Sequence, residues 1–456
     1  MSDDNSNKDT ENSEESENEK EKNYEFIKKH GQVWKFCFYG FFKNLKFFEP
    51  YLFIILLNWG YSLLNILTLQ AITEIISYLF EVPSGILADR FGKKRTLMAC
   101  FVFYIISFLF YFSGPNYLLL VFAAIFFGFG EAFRSGTHKA MEIVWLENHG
   151  LLKYKTFLYG RTRSYSLYGS TISHITSIVF ILSIPADRWI FLITIIPYVI
   201  DFILIASYPD YMNDRINSDA KVIDEVVEGF KGLKVVFKNK KLGKGLFSSS
   251  TFNSIFKSLK DWIQPIIKIL IAALLITFIA SPTPEQEEVY TKLILGLIYA
   301  TYDFLSSYAS KNAYKINKQV SDTKKYIDLF FDILGICLIL TGVFFWLELP
   351  IIIMIIYLPI NLLYNVRRPM TVDYIATISE KDKRATILSV ESLLKSILVV
   401  ILAPLFGFIA DITSIPFLFV IVGIGSIIIN RLLLSGDCNP GGATCELEEE
   451  FYEEEV

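Results

Sequence analysis

Apolar residues gather in long blocks instead of alternating with polar ones, and the blocks have the length of membrane crossings. A crossing helix needs about 20 mostly apolar residues, because the hydrocarbon is about 30 Å thick and each residue rises about 1.5 Å. Such blocks occupy approximately residues 51–69, 70–88, 96–113, 117–145, 157–182 and 187–208. They return at 245–280, 290–310, 325–347, 350–373, 385–411 and 413–434. The pattern predicts an all-α membrane protein with 12 transmembrane helices, six on each side of a polar stretch from Tyr208 to Gly245. The break near Gln70 rests on length alone. The seventh block is polar in its first half, so Ile266–Ala280 reads either as its continuation or as a separate re-entrant piece.

The chain therefore divides into an acidic tail with an amphipathic lead-in (1–44), a first six-helix half (45–208), a linker (209–244), a second half (245–434) and an acidic tail (435–456). Residues 1–22 hold nine acids, three lysines and no aromatic residue, and residues 437–456 hold eight acids and no Lys or Arg. Segments so poor in apolar surface are expected to stay solvated. The N-terminal tail lacks the basic start and apolar core of a secretion signal, so no cleavage is expected.

Basic residues set the orientation, because short cytoplasmic loops are enriched in Lys and Arg. With the N-terminus inside, the inner loops hold Arg90, Lys93, Lys94 and Arg95, then Lys153 and Lys155, then the linker lysines. Lys311, Lys315, Lys318, Lys324 and Lys325 follow, and finally Lys381, Lys383 and Arg384. The outer loops hold essentially Arg188 alone. Both termini are expected in the cytoplasm, and the protein in the cell membrane as a multi-pass monomer.

Composition narrows the chemistry. Of the 456 residues 53% are hydrophobic and 20% charged, which excludes a disordered chain and a cytosolic globule. A net charge of −4 gives no nucleic-acid footprint. The five cysteines show no C-x-x-C spacing and the four histidines no H-x-x-x-H pair, so no metal site, cofactor or catalytic set is expected. G-x-x-x-x-G-K-[ST] is absent, so nucleotide hydrolysis is not expected to power it directly.

Between spans two and three the chain reads Gly85-Ile-Leu-Ala-Asp89-Arg90-Phe91-Gly92-Lys93-Lys94-Arg95. This resembles the signature loop of the major facilitator superfamily, G-x-x-x-D-R-x-G-R-[RK]. Phe80–Gly85, Ser135–Ala140, Lys260–Pro265, Arg367–Met370 and Arg384–Ser389 look like its prokaryotic permeases of mostly unassigned substrate. The resemblance covers roughly residues 45–434. It implies two pseudo-symmetric six-helix bundles and a transport role, but no substrate. It also implies a gate: Gly85 for close helix approach, Asp89 facing a helix N-terminus, basic residues at the surface, Gly92 for a tight turn. Lys93 stands where the family commonly has Arg, keeping the charge but losing the bidentate fork.

Charges inside hydrocarbon are costly unless paired or hydrated. Span four carries Glu131, Arg134, His138 and Glu142 at helical spacing. Span seven carries Asn253, Lys257, Lys260 and Gln264, with Asp261 alongside. Span ten carries Asn361, Tyr364, Asn365 and Arg368, with Arg367 beside it, and span one offers Asn58, Tyr61 and Asn65. In the implied fold these four spans line the cavity, so the stripes predict a hydrated path. Glu391 and Lys395 are spaced to pair with each other, and Asp328 and Asp332 to be solvated or to match a helix N-terminus. Arg161 and Arg163 are spaced to snorkel.

The resulting expectation is a secondary transporter working by alternating access: proton-coupled efflux of a small organic solute. Glu131 is the leading proton carrier and Asp303 the second. Arg134, Lys257, Lys260, Arg367 and Arg368 outnumber Glu131 and Asp261, which favours an anionic or zwitterionic solute. A nutrient importer or facilitator for a sugar, amino acid or nucleoside is the alternative, and a non-transporting membrane sensor is the alternative of another class.

Overall fold

The computed structural model describes residues 21–213, 240–276, 281–319, 323–378 and 384–434. A short helix α1 (21–29) leads into α2 (Gly31–Phe42), which starts where the His30 side chain accepts the Gln32 N–H at 3.1 Å. The chain breaks over Lys43–Tyr51, where Pro50 cannot continue a helix, and resumes as α3 (Leu52–Asn58). Then follow α4 (Leu63–Phe91), α5 (Lys93–Phe112), α6 (Tyr117–Arg134), α7 (Thr137–Asn148), α8 (Lys155–Ser183) and α9 (Trp189–Ala206). Beyond the linker come α10 (Lys240–Leu259), a 3-10 turn Lys260–Trp262, α11 (Ile263–Ile276), α12 (Pro284–Gln319) and α13 (Thr323–Trp346). The chain ends in α14 (Pro350–Thr377), α15 (Arg384–Ile412) and α16 (Ile415–Ile428), the last continued by a π turn to Leu434. No strand occurs among the described residues.

The first crossing element differs from expectation. Helix α4 runs unbroken through Gln70, so the break belongs earlier, at Trp59–Ser62. There Gly60 adopts φ +88°, and the Ser62 hydroxyl accepts the Asn65 N–H to start α4. Helices α2 and α3 together stand where the first crossing is needed. Val33, Phe36 and Cys37 are fully buried, and α2 packs on α8 and α9. A block-length count misses this element, because Lys43–Pro50 interrupts its apolar run.

Among the described residues eight helices are long and apolar enough to cross a membrane. The other elements are broken, charged or short: α2–α3, α10–α11, α12 and the 415–431 stretch. The piece after Ile266 is not separate, since α11 begins at Ile263 directly after the 3-10 turn; residues 277–280 lie outside the described residues.

Two lobes result. In the first, α5 packs on α6 and α9, α4 on α6, and α2 on α8. In the second, α13 packs on α14 and α16, α10 on α15, and α12 on α14. The lobes meet chiefly through α4 against α15 and α8 against α12. At the end away from the signature loop the α4–α15 approach is backbone on backbone: a Cβ on Gly407 would lie 2.7 Å from Leu64 Cα. Here Asp411 accepts the Leu63 and Leu64 N–H groups at 3.1 and 2.8 Å, placing a carboxylate on the positive N-terminus of α4.

Residues 1–20, residues 214–239 of the linker and residues 435–456 lie outside the described residues; α10 already begins at Lys240, inside the stretch expected to be linker.

Candidate functional site

The breaks in the first helix of each lobe meet. The Lys43–Tyr51 break supplies Lys46 and Glu49; the 3-10 turn after α10 supplies Lys260 and Asp261. Lys260 Nζ lies 3.3 Å from Glu49 and 3.5 Å from Asp261. Asp261 also accepts the Tyr299 hydroxyl at 2.7 Å. Gln264 locks the two breaks together. Its Oε1 accepts Phe53 N–H at 2.9 Å and Ile54 N–H at 3.4 Å, while its Nε2 donates to the Glu49 carbonyl and the Tyr299 hydroxyl.

Three adjoining hollows surround this junction, and Lys260 borders all of them. One of ≈330 Å³ lies toward the far end, among Leu52, Leu56, Ile66, Glu74, Tyr111 and Glu131. A second of ≈240 Å³ sits at His174, Tyr299 and Asp303. The third, ≈670 Å³, lies toward the signature-loop end. Its charged lining is Arg163, Lys257, Lys260, Arg368 and Lys395 against Asp303 and Glu391, five basic groups to two acidic.

The ion pairs within these hollows are specific. Glu74 binds Lys257 and the Ser396 hydroxyl, with Lys395 at 4.0 Å. Glu131 takes Arg134 at 2.5 Å and the Tyr104 hydroxyl at 2.7 Å, with Lys46 at 3.9 Å. Asp303 lies 3.2 Å from His174 Nδ1. Arg163 and Arg368 form no ion pair among the described residues; Arg368 donates only to Tyr364, one turn back on α14.

The expected cavity residues divide. Asn253, Lys257, Lys260, Tyr364, Asn365 and Arg368 border the ≈670 Å³ hollow, and Asp261 and Gln264 the ≈330 Å³ one. Others lie elsewhere. The single stripe expected on span four is broken: Gly136 (φ +72°) separates α6 from α7. His138 is therefore buried inside the first lobe, stacked on Tyr39 at 3.7 Å and 3.3 Å from Glu142. Arg367 is also interior: it reaches Ser248 and the Ile327 carbonyl and covers the Phe252 ring at 4.2 Å. Asn58 meets Lys268 in a separate space at the far end, and Tyr61 packs on Tyr117 there.

Three further pairings are corrected. Glu391 binds Ser249 while Lys395 turns to Glu74, so these two do not pair with each other. Asp332 receives Asn430 and Arg431 at 2.7 and 2.5 Å and is neither solvated nor a helix cap. Arg163 borders the large hollow, where snorkelling was expected.

In the signature loop Gly92 adopts φ +102° and joins α4 directly to α5, as the tight turn requires. Lys94 donates to the Tyr208 carbonyl at 2.7 Å and meets Asp210 at 3.3 Å. Lys93 lies 3.8 Å from Asp89, Arg90 rests over Phe91, and Arg95 is exposed. The close approach expected at Gly85 is absent in this conformation: a Cβ there would meet nothing within 4 Å.

Lys46, Glu49, Arg163 and the cross-lobe role of Glu74 escaped sequence reasoning. The signal for the first two was present: Asn44-Leu-Lys46-Phe-Phe-Glu49-Pro50 is a polar, proline-bearing break between apolar runs.

Two helical lobes, broken helices at their meeting point and a polar hollow among them mark a multi-pass helical membrane protein. Residues 33–362 match the family model of the Major Facilitator Superfamily, and the chain belongs to that family. It is 31% identical over 90 residues, 20% of its own length, to the uncharacterized MFS-type transporter YxaM of Bacillus subtilis (strain 168); the match spans 23% of that relative. Its fold resembles the nucleoside transporter NupG (TM-score 0.70, 10% identity, 88% of this chain and 98% of that one). It also resembles a POT family transporter in complex with 5-aminolevulinic acid (TM-score 0.65, 15% identity, 88% and 95%). A D-xylose-proton symporter is similar too (TM-score 0.64, 12% identity, 88% and 96%).

Proposed function

We propose that this chain moves a small anionic or zwitterionic organic solute by alternating access, through twelve spans and as a monomer in the cell membrane. The signature-loop end and both termini face the cytoplasm, in keeping with the basic inner loops. The observation that carries the substrate reading is the ≈670 Å³ hollow, with five basic groups against two acidic and two arginines, Arg163 and Arg368, left without a carboxylate among the described residues. A negative group would satisfy both arginines, one from each lobe. Desolvated guanidinium–oxyanion contacts are strong and directional.

Transport is driven by protons and runs outward. Carboxylates at the lobe interface, where their surroundings change as the lobes rock, support proton coupling, as does the likeness to a D-xylose-proton symporter. The likeness to a nucleoside transporter favours uptake as the second reading for direction.

Thermal stabilisation of purified protein is the test, because a ligand that binds the native state raises its melting point. A panel of dicarboxylates, phosphate esters and amino acids is compared with the permanent cation tetraphenylphosphonium. An anion or zwitterion is expected to give the largest shift, and Arg163→Gln and Arg368→Gln to weaken it about tenfold each, the scale of one charge-assisted hydrogen bond. Best stabilisation by tetraphenylphosphonium would overturn the substrate reading. Counterflow of the stabilising solute in proteoliposomes, with and without a pH gradient, then reports drive and direction.

A further inference from the structure

Four interface carboxylates compete as the proton carrier, and their partners and burial separate them. Glu49 meets Lys260 of the other lobe at 3.3 Å, but its side chain is about one-third exposed. Glu131 takes Arg134, Tyr104 and Lys46, all from its own lobe. A rocking motion leaves that cluster intact. Asp303 has a cross-lobe neighbour in His174, but its side chain is already about one-third exposed beside the open hollow. Glu74 is different. It is buried, with 8% side-chain exposure, and its polar partners come from the opposite lobe: Lys257 on α10, Lys395 and Ser396 on α15.

We propose that Glu74 is the proton-binding site of the transport cycle, ionised when the far end is closed and protonated when it opens. This rests on the proton-coupled reading above and names the group that serves it. Separating the lobes at the far end removes both lysines from Glu74 at once. A carboxylate left without its cations at the edge of a hydrocarbon-walled space takes up a proton instead. When the lobes return, two ammonium groups displace that proton.

The spaces on either side give it a route. Glu74 itself borders the ≈330 Å³ hollow toward the far end. Lys257 and Lys395 border the ≈670 Å³ hollow toward the signature-loop end. A proton taken from the far side is thus released into the other space without crossing apolar packing. Other charged groups facing the first hollow are engaged among themselves: Lys46 with Glu131, and Glu49 and Asp261 with Lys260. Gln70, one turn before Glu74, donates to the Lys257 carbonyl at 2.9 Å, so the polar contacts of this stretch of α4 are with the other lobe.

The test needs no solute. Spin labels at exposed far-end positions, Ser113→Cys on the first lobe and Glu285→Cys on the second, report the gap by pulsed electron resonance; Cys438 and Cys445 are first changed to Ser. Acidification is expected to move the labelled parent toward longer distances. Glu74→Gln is expected to show the acid distribution at every pH, whereas Glu131→Gln keeps the shift. Lys257→Gln, which strips one cation and leaves the carboxyl group, is expected to move the midpoint to higher pH, a gain that misfolding does not mimic. A pH response in Glu74→Gln equal to the parent's would overturn the assignment alone. A parent without any pH response would overturn the assignment and the proton-coupled reading together.

Discussion

The two ends of the lobe interface are built from the same helices and behave oppositely. At the far end α4 and α15 touch backbone to backbone at Gly407, Asp411 sits on the N-terminus of α4, and Lys292 bridges to Asp187 at 2.7 Å. At the signature-loop end the same α4 carries Gly85 in open space, and the ≈670 Å³ hollow lies between the lobes. Closure thus depends on small residues and on carboxylates matched to amide or ammonium groups. Where those matches run out, basic groups of the two lobes border a common hollow. Such a difference, exchanged from end to end, is what alternating access requires of two rigid lobes.

The largest break in this comparison comes from Gly407→Val. A side chain there collides with the backbone of Leu63 and Leu64, and overpacking of this kind costs about 3 kcal/mol. The far end is expected to be forced apart, seen as a longer Ser113–Glu285 label distance and a lower melting temperature. Gln264→Ala comes next. It strips the acceptor from the Phe53 and Ile54 N–H groups in a buried junction, expected to cost about 2 kcal/mol and read in the same melting experiment. Asp411→Ala should cost about 1 kcal/mol, since it removes a capping carboxylate from one helix end. The smallest effect belongs to the open end: Gly85→Ala meets no neighbour in this conformation and should gain up to about 1 kcal/mol of helix stability. If Gly85→Ala instead slows solute counterflow, the close approach expected at Gly85 occurs in the other conformation.

A second comparison concerns the breaks. The one after α10 left a sequence trace in Lys260-Asp261-Trp262, and its residues were expected at the cavity. The one after α2 placed Lys46 and Glu49 ahead of the supposed first span. The difference is one of local signal. Polar residues inside an apolar block stand out, whereas those between two short blocks look like a loop before the membrane. The same limit applies to His138 and Arg367. Helical spacing places them on polar faces, but Gly136 turns one helix away and Phe252 and Phe331 roof the other guanidinium.

What the sequence determined by itself was the medium and the family. Block length answers to hydrocarbon thickness, and the glycine and charge spacing of 85–95 is a property of consecutive residues; both are local and survive without a fold. The identity of each charge's partner was decided only by the tertiary structure. Lys257 and Glu74 are 183 positions apart, and Ser396 and Glu74 322 apart. An ion in low dielectric takes whatever opposite charge the packing brings within reach, and that packing is set by how whole lobes meet, not by neighbours in the chain.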